Sequence, residues 1–381
     1  MKIGIVGNYG NDNNGDEAIL LSIIKQVTAT FDISHSDLTV FSNNPKQTAT
    51  RYGVTSFPLY YKNGNAVKTF MKTYSNNKQI VKTFDLLIIG GGGILMDLYR
   101  REAPLFGSYA MMAKNSRVPY IVYGCGAGPL HTGLGKWFIR YMCKNADSVS
   151  VRDPESMELL RSIGVKEPVR IIGDPAFSLR GENSREPSKA PVNIGVTAVP
   201  YYHAGYWPEE DVSRYEDYVE GMAKNLDHLA EHHNVNINFF ATKFPQDADV
   251  TKDIQAKMTH ADKTSILDKN LLPDQILEIT AQQDIVIGTR LHSLILATCT
   301  ETPVMAISYH PKVHDFMKLA DLERFAFPIS EMNQDRTLFL EAFNEMKGSW
   351  TETADRTKEL SIRLYEEAMK GTDQFRNAIK K

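Results

Sequence analysis

Short apolar runs alternate with amphipathic stretches along most of this chain. Lys2–Gly7 reads as a strand, and in Asp16–Thr30 the residues Ile19, Leu20, Ile23, Ile24 and Val27 recur at helical spacing. Leu38–Ser42, Leu86–Gly90, Tyr120–Gly124, Ser148–Arg152 and Val169–Gly173 are further strand candidates. The polar stretch Arg180–Pro191, ending in Pro-Ser-Lys-Ala-Pro, interrupts this rhythm and reads as a linker. The alternation restarts with strands at Asn193–Ala198, Asn236–Ala241, Asp284–Gly288 and Val304–Ser308, with helices at Asp211–His232 and Leu271–Gln282 between them. Thr353–Ile379 is charged and helical. Strands that are apolar throughout belong in parallel sheets covered by helices on both faces. The pattern therefore predicts an α/β chain of two Rossmann-like, doubly wound domains facing a cleft. Their expected extents are 1–180 and 192–350, joined by a linker over 181–191. A helical segment over 351–381 is able to pack back on the first domain.

Composition narrows the class. The 381 residues are 42% hydrophobic, enough for proper cores. No window approaches the roughly 18 uninterrupted apolar residues that span a bilayer. The opening residues lack the apolar region and cleavage site of a signal peptide. Cys125, Cys143 and Cys299 are odd in number, widely spaced and in apolar contexts. They read as reduced thiols of a cytoplasmic protein rather than a disulfide framework or zinc site. A formal net charge of −3 argues against a nucleic-acid partner. It leaves room for a local basic pocket holding a small anion, and for transient contact with the inner membrane face. The oligomeric state stays open, a homo-oligomer included.

In open α/β sheets ligands bind beyond the carboxyl ends of the strands, and the informative segments sit there. The first is Gly7-Asn-Tyr-Gly-Asn-Asp-Asn-Asn14-Gly-Asp16-Glu17, between the first strand and the first helix. It matches neither the dinucleotide fingerprint nor the P-loop. Asp16 and Glu17 are candidate functional carboxylates, or acids complementing the helix dipole. The second is Gly90-Gly91-Gly92-Gly93, where a ligand or another part of the chain approaches closely, or where a tight turn packs densely. Cys125, in Gly124-Cys-Gly-Ala-Gly, reads as a small buried thiol because no base accompanies it.

Three cationic segments follow. Arg152, in Ser-Val-Arg-Asp-Pro, presents a planar fork suited to carboxylate or phosphate, or pairs locally with Asp153 or Glu155. In Gly288-Thr-Arg290-Leu-His292-Ser, Thr289 is the expected N-cap, which puts Arg290 and His292 in a first helical turn favourable to anions. In Ser308-Tyr-His-Pro-Lys312-Val, Pro311 suits the first helical position and Lys312 reaches the same sheet edge. A metal cage is not expected: the acids of Lys243–Asp249 lack a second cluster, and adjacent His232 and His233 point apart. No Gly-x-Ser-x-Gly elbow occurs.

Taken together in order and spacing, these segments and Gly173-Asp-Pro-Ala resemble the polysaccharide pyruvyl transferase family over most of the chain. The resemblance implies a GT-B-like fold and transfer of the enolpyruvyl carbons of phosphoenolpyruvate to a sugar, giving a pyruvate ketal and phosphate, without a cofactor. It implies that Arg152, His292 and Lys312 hold or activate the donor, with Gly91 and Gly92 nearby. Arg290 belongs to the same motif, with a packing or ion-pair role equally open. Asp16 and Glu17 would lie toward the acceptor, one of them as base and His292 as acid. Asn14 is an expected acceptor contact, and so is Tyr202 in the aromatic loop Tyr201–Trp207, whose rings stack on a sugar or serve ordinary interdomain packing equally well. That acceptor is a free or lipid-linked glycan. A glycosyltransferase of similar architecture using a nucleotide sugar is the main rival; a non-catalytic glycan-binding protein is the second.

Overall fold

The computed structural model describes residues 1–98, 101–181, 192–207 and 209–380. Of the expected linker, all but Arg180 and Gly181 lies outside the described residues. The chain forms two compact units: Met1–Ser178 with Leu364–Lys381, and Leu179–Arg363.

The first unit holds a seven-stranded sheet of β1 (Ile3–Val6), β2 (Leu38–Ser42), β3 (Thr55–Pro58), β4 (Leu86–Leu95), β5 (Tyr120–Ala127), β6 (Ser148–Val151) and β7 (Val169–Ile171), in the order β3-β2-β1-β4-β5-β6-β7. Every pairing is parallel. Its helices are α1 (Asn14–Phe31), α2 (Pro45–Tyr52), α3 (Ala66–Val81), α4 (Glu102–Ser116), α5 (Gly133–Asn145) and α6 (Pro154–Ser162). The central strands are buried at all but single positions, as their apolar sequences require.

The second unit holds β8 (Val192–Val196), β9 (Val235–Phe240), β10 (Thr264–Leu267), β11 (Ile285–Gly288), β12 (Val304–Ser308) and β13 (Ala326–Pro328), also all parallel, in the order β10-β9-β8-β11-β12-β13. Its helices are α7 (Val212–His232), α8 (Gln246–Lys257), α9 (Pro273–Thr280), α10 (Leu291–Cys299), α11 (Pro311–Leu319) and α12 (Leu338–Gly348). Helix α13 (Trp350–Met369) carries the chain back to the first unit, where α14 (Asp373–Ile379) follows. Both sheets are Rossmann-like. Their strand order reverses between β1 and β4 and between β8 and β11, which marks the ligand crevices of this fold.

Three strands escaped the sequence pattern, namely β3, β10 and β13. Each is an edge strand, short and only partly buried, so it carries no continuous apolar run. The strand expected over Leu86–Gly90 runs further: β4 continues through the four glycines to Leu95 with a register irregularity after Gly92, so of the two readings of this segment the tight turn is not formed.

Candidate active site

In the first unit the loop after β1 folds back around two carboxylates. Asn13 caps α1, its side chain accepting from the Gly15 amide. Glu17 is buried and accepts from the Gly10 amide (2.7 Å) and the Tyr52 hydroxyl (2.6 Å), with Arg51 3.8 Å away. These bonds tie the loop to α1 and α2, and they engage both oxygens of Glu17. Asp16 is less enclosed; its Oδ2 accepts from the side chains of Asn8 (3.1 Å) and Asn13 (2.9 Å). Asn14 is 1% exposed, and among the described residues neither atom of its amide has a hydrogen-bond partner.

The glycine run explains itself at this point. Gly91 and Gly92 have φ of +77° and +71°. A side chain at Gly91 would begin 2.0 Å from Ile19 Cγ2, and one at Gly92 2.8 Å from Asp16 Oδ1. The glycines let α1 settle directly on β4, so Asp16 and Gly92 face each other across this switch point. Close approach within the chain is thus the observed reason for these glycines.

Arg152, just beyond β6, lies against Gly126, where a Cβ would come within 3.0 Å of its Nε. Its Nε donates to Asp153 (3.2 Å) and its Nη1 to Asp174 (3.1 Å). Burial alone would lower its pKa, but Asp174 and Asp153 outweigh this and raise it, so the guanidinium stays charged. The local pairing left open by the sequence is present, with Asp174 of the Gly-Asp-Pro-Ala segment as a second partner. Cys125 is fully buried, and burial pushes its thiol up to about 12, as an inert core thiol requires.

In the second unit, four neighbouring strands deliver the polar groups to one edge. They are β9, β8, β11 and β12, adjacent in that order. Helix α10 begins one residue later than expected. Arg290, not Thr289, occupies the N-cap position, without a side-chain cap bond. The reason is that Thr289 is fully buried and its hydroxyl donates to the Thr197 carbonyl beyond β8. His292 therefore stands second in the helix. Arg290 is locked rather than mobile: its Nε and Nη2 reach Asp247 at 3.2 and 2.5 Å, and its Nη1 donates to Tyr206 (2.9 Å). Burial would lower the Arg290 pKa, but Asp247 raises it more. Tyr206 is flanked by two cations, Arg290 at 5.4 Å and Lys243 at 4.7 Å from its ring centre. Lys312 lies at the start of α11, with Pro311 in the first turn and the amide of Lys312 donating to His310 Nδ1 (3.2 Å).

Tyr202 has φ of +55°, sits 4.8 Å under Arg214 and packs against Trp207. Trp207 in turn meets Tyr309, whose hydroxyl is pushed up in pKa by burial and drawn back by Arg290. The expected site residues thus fall into two sets. Asn14, Asp16, Glu17, Gly91, Gly92 and Arg152 belong to the first unit; Tyr202, Arg290, His292 and Lys312 belong to the second. Sequence reasoning missed the Arg290–Asp247–Tyr206 lock and Lys243. Its sequence signal is the pair of acids, Asp247 and Asp249, in the first turn of α8. One metal-capable cluster occurs among the described residues: His228, Glu231 and His232, with ligand atoms within 4.8 Å of one another. Two of them lie in the last turn of α7, which leads into β9 and hence away from the carboxyl edge of the sheet.

The fold is that of two-domain Rossmann-like α/β proteins that include sugar-nucleotide enzymes. The UDP-GlcNAc 2-epimerase of Neisseria meningitidis superposes with a TM-score of 0.63 at 10% identity, over 100% of both chains. A glycosyltransferase of Rickettsia africae gives 0.58 at 12% identity, over 100% of this chain and 96% of that one. At such identities the likeness is one of fold alone. Residues 13–311 match the polysaccharide pyruvyl transferase family model, so the chain belongs to that family and is a polysaccharide pyruvyl transferase. The amylovoran biosynthesis protein AmsJ of Erwinia amylovora is 22% identical, covering 87% of this chain and 89% of that protein. No described helix is long and apolar enough to cross a membrane.

Proposed function

We propose that this enzyme transfers the pyruvyl group of phosphoenolpyruvate, as a ketal, to a sugar of a cell-surface polysaccharide or of its lipid-linked precursor. One observation carries the reading: four adjacent strands of the second unit bring Lys243, His292 and Lys312, with the Arg290–Asp247 pair among them, to a single edge, with α10 and α11 starting there. A donor with a carboxylate and a phosphate needs such a concentration of cations and helix starts.

His292 delivers a proton to the methylene carbon C3 of the donor. Positive charge develops at C2, and a sugar hydroxyl oxygen bonds to it while losing its proton to a carboxylate. The C2–O bond to phosphate then breaks, its electron pair leaving with the phosphate. A second hydroxyl bonds to C2 and closes the ketal. Of the two hydroxyl protons released, one restores His292 and the other leaves with phosphate.

Asp16 is the better base of the two candidate carboxylates, because Glu17 is buried and occupied by Gly10 and Tyr52. The buried, unsatisfied amide of Asn14 suits a sugar hydroxyl, since leaving such a group unpaired costs about 1–3 kcal/mol. Lys312 is the donor's principal cation. Arg152, already shared by Asp153 and Asp174, positions the latter and adds little further attraction for an anion.

The test is incubation with phosphoenolpyruvate and a panel of sugar acceptors, following phosphate release and product mass. Phosphate release coupled to a ketal mass supports the proposal. Thermal stabilisation by a nucleoside diphosphate, and none by phosphoenolpyruvate, would instead favour the nucleotide-sugar reading.

A further inference from the structure

Charge is unevenly spread along this chain. Residues 59–84 contain five lysines and residues 103–146 contain five Lys or Arg, and neither segment has a single Asp or Glu. With +10 there and −3 overall, the rest of the chain carries −13. The two segments are not scattered in space. They supply α3, almost all of α4, and α5, which pack side by side on one face of the first unit. Phe138 of α5 seats on Gly107 of α4, where a Cβ would come within 2.5 Å of its ring. Phe70 of α3 reaches the same ring, with centroids 6.3 Å apart. The starts of α3 and α5 therefore adjoin.

Those starts are apolar and exposed. Ten large hydrophobic side chains are exposed among the described residues, and four of them lie here: Val67 and Met71 on α3, Leu134 and Trp137 on α5. Trp137 is 45% exposed and Leu134 61%. Lys68 and Lys72 flank the first pair, and Lys136 and Arg140 the second. A helix that turns large apolar groups and an aromatic ring toward solvent, ringed by cations and free of carboxylates, has the make-up of one that lies in a membrane interface. In a doubly wound sheet, helix starts and strand carboxyl ends share an edge. The face thus borders the edge that carries Asp16 and Gly92.

We infer that the starts of α3 and α5 form a docking face for an anionic lipid bilayer, with Leu134, Trp137, Val67 and Met71 entering the interface and the surrounding cations meeting lipid phosphates. The occupant is chosen by charge complementarity: Lys68, Lys72, Lys136 and Arg140 stand among the exposed apolar side chains on two helices without an acidic residue, and the carboxylate nearest the start of α5, Asp97, is buried against Thr132. Such a face suits a negatively charged surface, whereas a second copy would bring the same cations against themselves. Docking there turns the strand-end edge of this unit toward the bilayer surface, where a lipid-linked sugar is held. Each contact is weak alone, and several basic side chains plus a few apolar ones give reversible attachment.

The experiment is co-sedimentation of the full chain with vesicles, comparing pure phosphatidylcholine with a mixture containing about 30% phosphatidylglycerol, a range in which surface potential attracts basic residues. Binding should favour the anionic vesicles at least about tenfold and weaken in about 0.5 M salt, where charges are screened. The variants L134S/W137S and K68E/K72E should each lose most of that binding while keeping the wild-type circular dichroism and thermal midpoint. Equal binding to both vesicle types, or anionic binding retained by both variants, would overturn the inference. So would a solution dimer that L134S/W137S converts to monomer, since the face would then be covered by a second copy. Neither donor nor acceptor is needed, so the outcome is independent of the pyruvyl-transfer reading.

Discussion

Asp16 and Glu17 are adjacent in sequence, yet the fold gives them different environments. Glu17 holds the loop after β1 in place, whereas Asp16 faces Gly92. Replacing Glu17 by Gln should therefore cost stability, about 1–3 kcal/mol for disturbed buried hydrogen bonds, read as a shift in the urea midpoint. Asp16→Asn should leave that midpoint nearly unchanged and lower turnover. Asn14→Ala makes a sharper test. Removing an unsatisfied buried amide should leave stability unchanged or slightly higher while raising KM for the acceptor; a large stability loss with unchanged KM would contradict the acceptor role. His292→Ala should reduce turnover by about 10² to 10⁴ with little change in donor affinity. The residue types at these positions were legible in the sequence because each follows a strand. Their partners were not: Arg290 meets Asp247, and Arg152 meets Asp174, only once the strands lie side by side.

At the scale of elements, the glycines of β4 and the Arg290 lock make the clearest predictions. Gly91→Ala forces a Cβ into Ile19 at a positive φ and should cost at least about 2 kcal/mol. That cost should appear in the unfolding midpoint even without substrate. Arg290→Met leaves Asp247 charged and fully buried, and should destabilise by about 3–5 kcal/mol. Adding Asp247→Asn should recover part of this loss, because the two side chains act as one unit. The continuous apolar strands announced themselves by composition. The edge strands β3, β10 and β13 did not, because pairing with a neighbour on only one side demands no unbroken apolar run, although the fourth edge strand, β7, was legible in Val169–Gly173. Likewise, four consecutive glycines favour a turn by local propensity, and the closeness of α1 and β5 holds them within β4, Gly91 and Gly92 at positive φ.

Two predictions concern the whole molecule. Burial pushes the Asp97 carboxyl up, but the Thr132 hydroxyl and the amides of His131 and Thr132 outweigh it and hold its pKa below the ordinary value. Bonds from the amide and hydroxyl of Thr337 lower Asp335 in the same sense. A carboxyl with a depressed folded pKa stabilises the protein above its unfolded value, near 4, and loses that contribution as pH falls through the folded one. Stability measured by urea should therefore be flat from neutral pH down to about 5 and fall below about 4. The fall should be smaller in Asp97→Asn, which is already less stable at neutral pH. Phosphoenolpyruvate at about 100 times its Kd should stabilise the native protein by about 2.7 kcal/mol. Lys312→Ala should abolish most of that effect.

By itself, the sequence determined the two parallel α/β units, their central strands and the strand ends where chemistry belongs. It could do so because strand and helix periodicities, and the Gly, Pro and charged residues that end elements, are local properties of the chain. Tertiary structure alone decided which charges are used up in pairs. It joined Arg290 to Asp247, 43 residues away, and left the side-chain amide of Asn14 buried without a partner among the described residues. It also gathered the cations of two separate segments onto three neighbouring helices. These outcomes depend on which strands and helices become neighbours, and no local spacing encodes that.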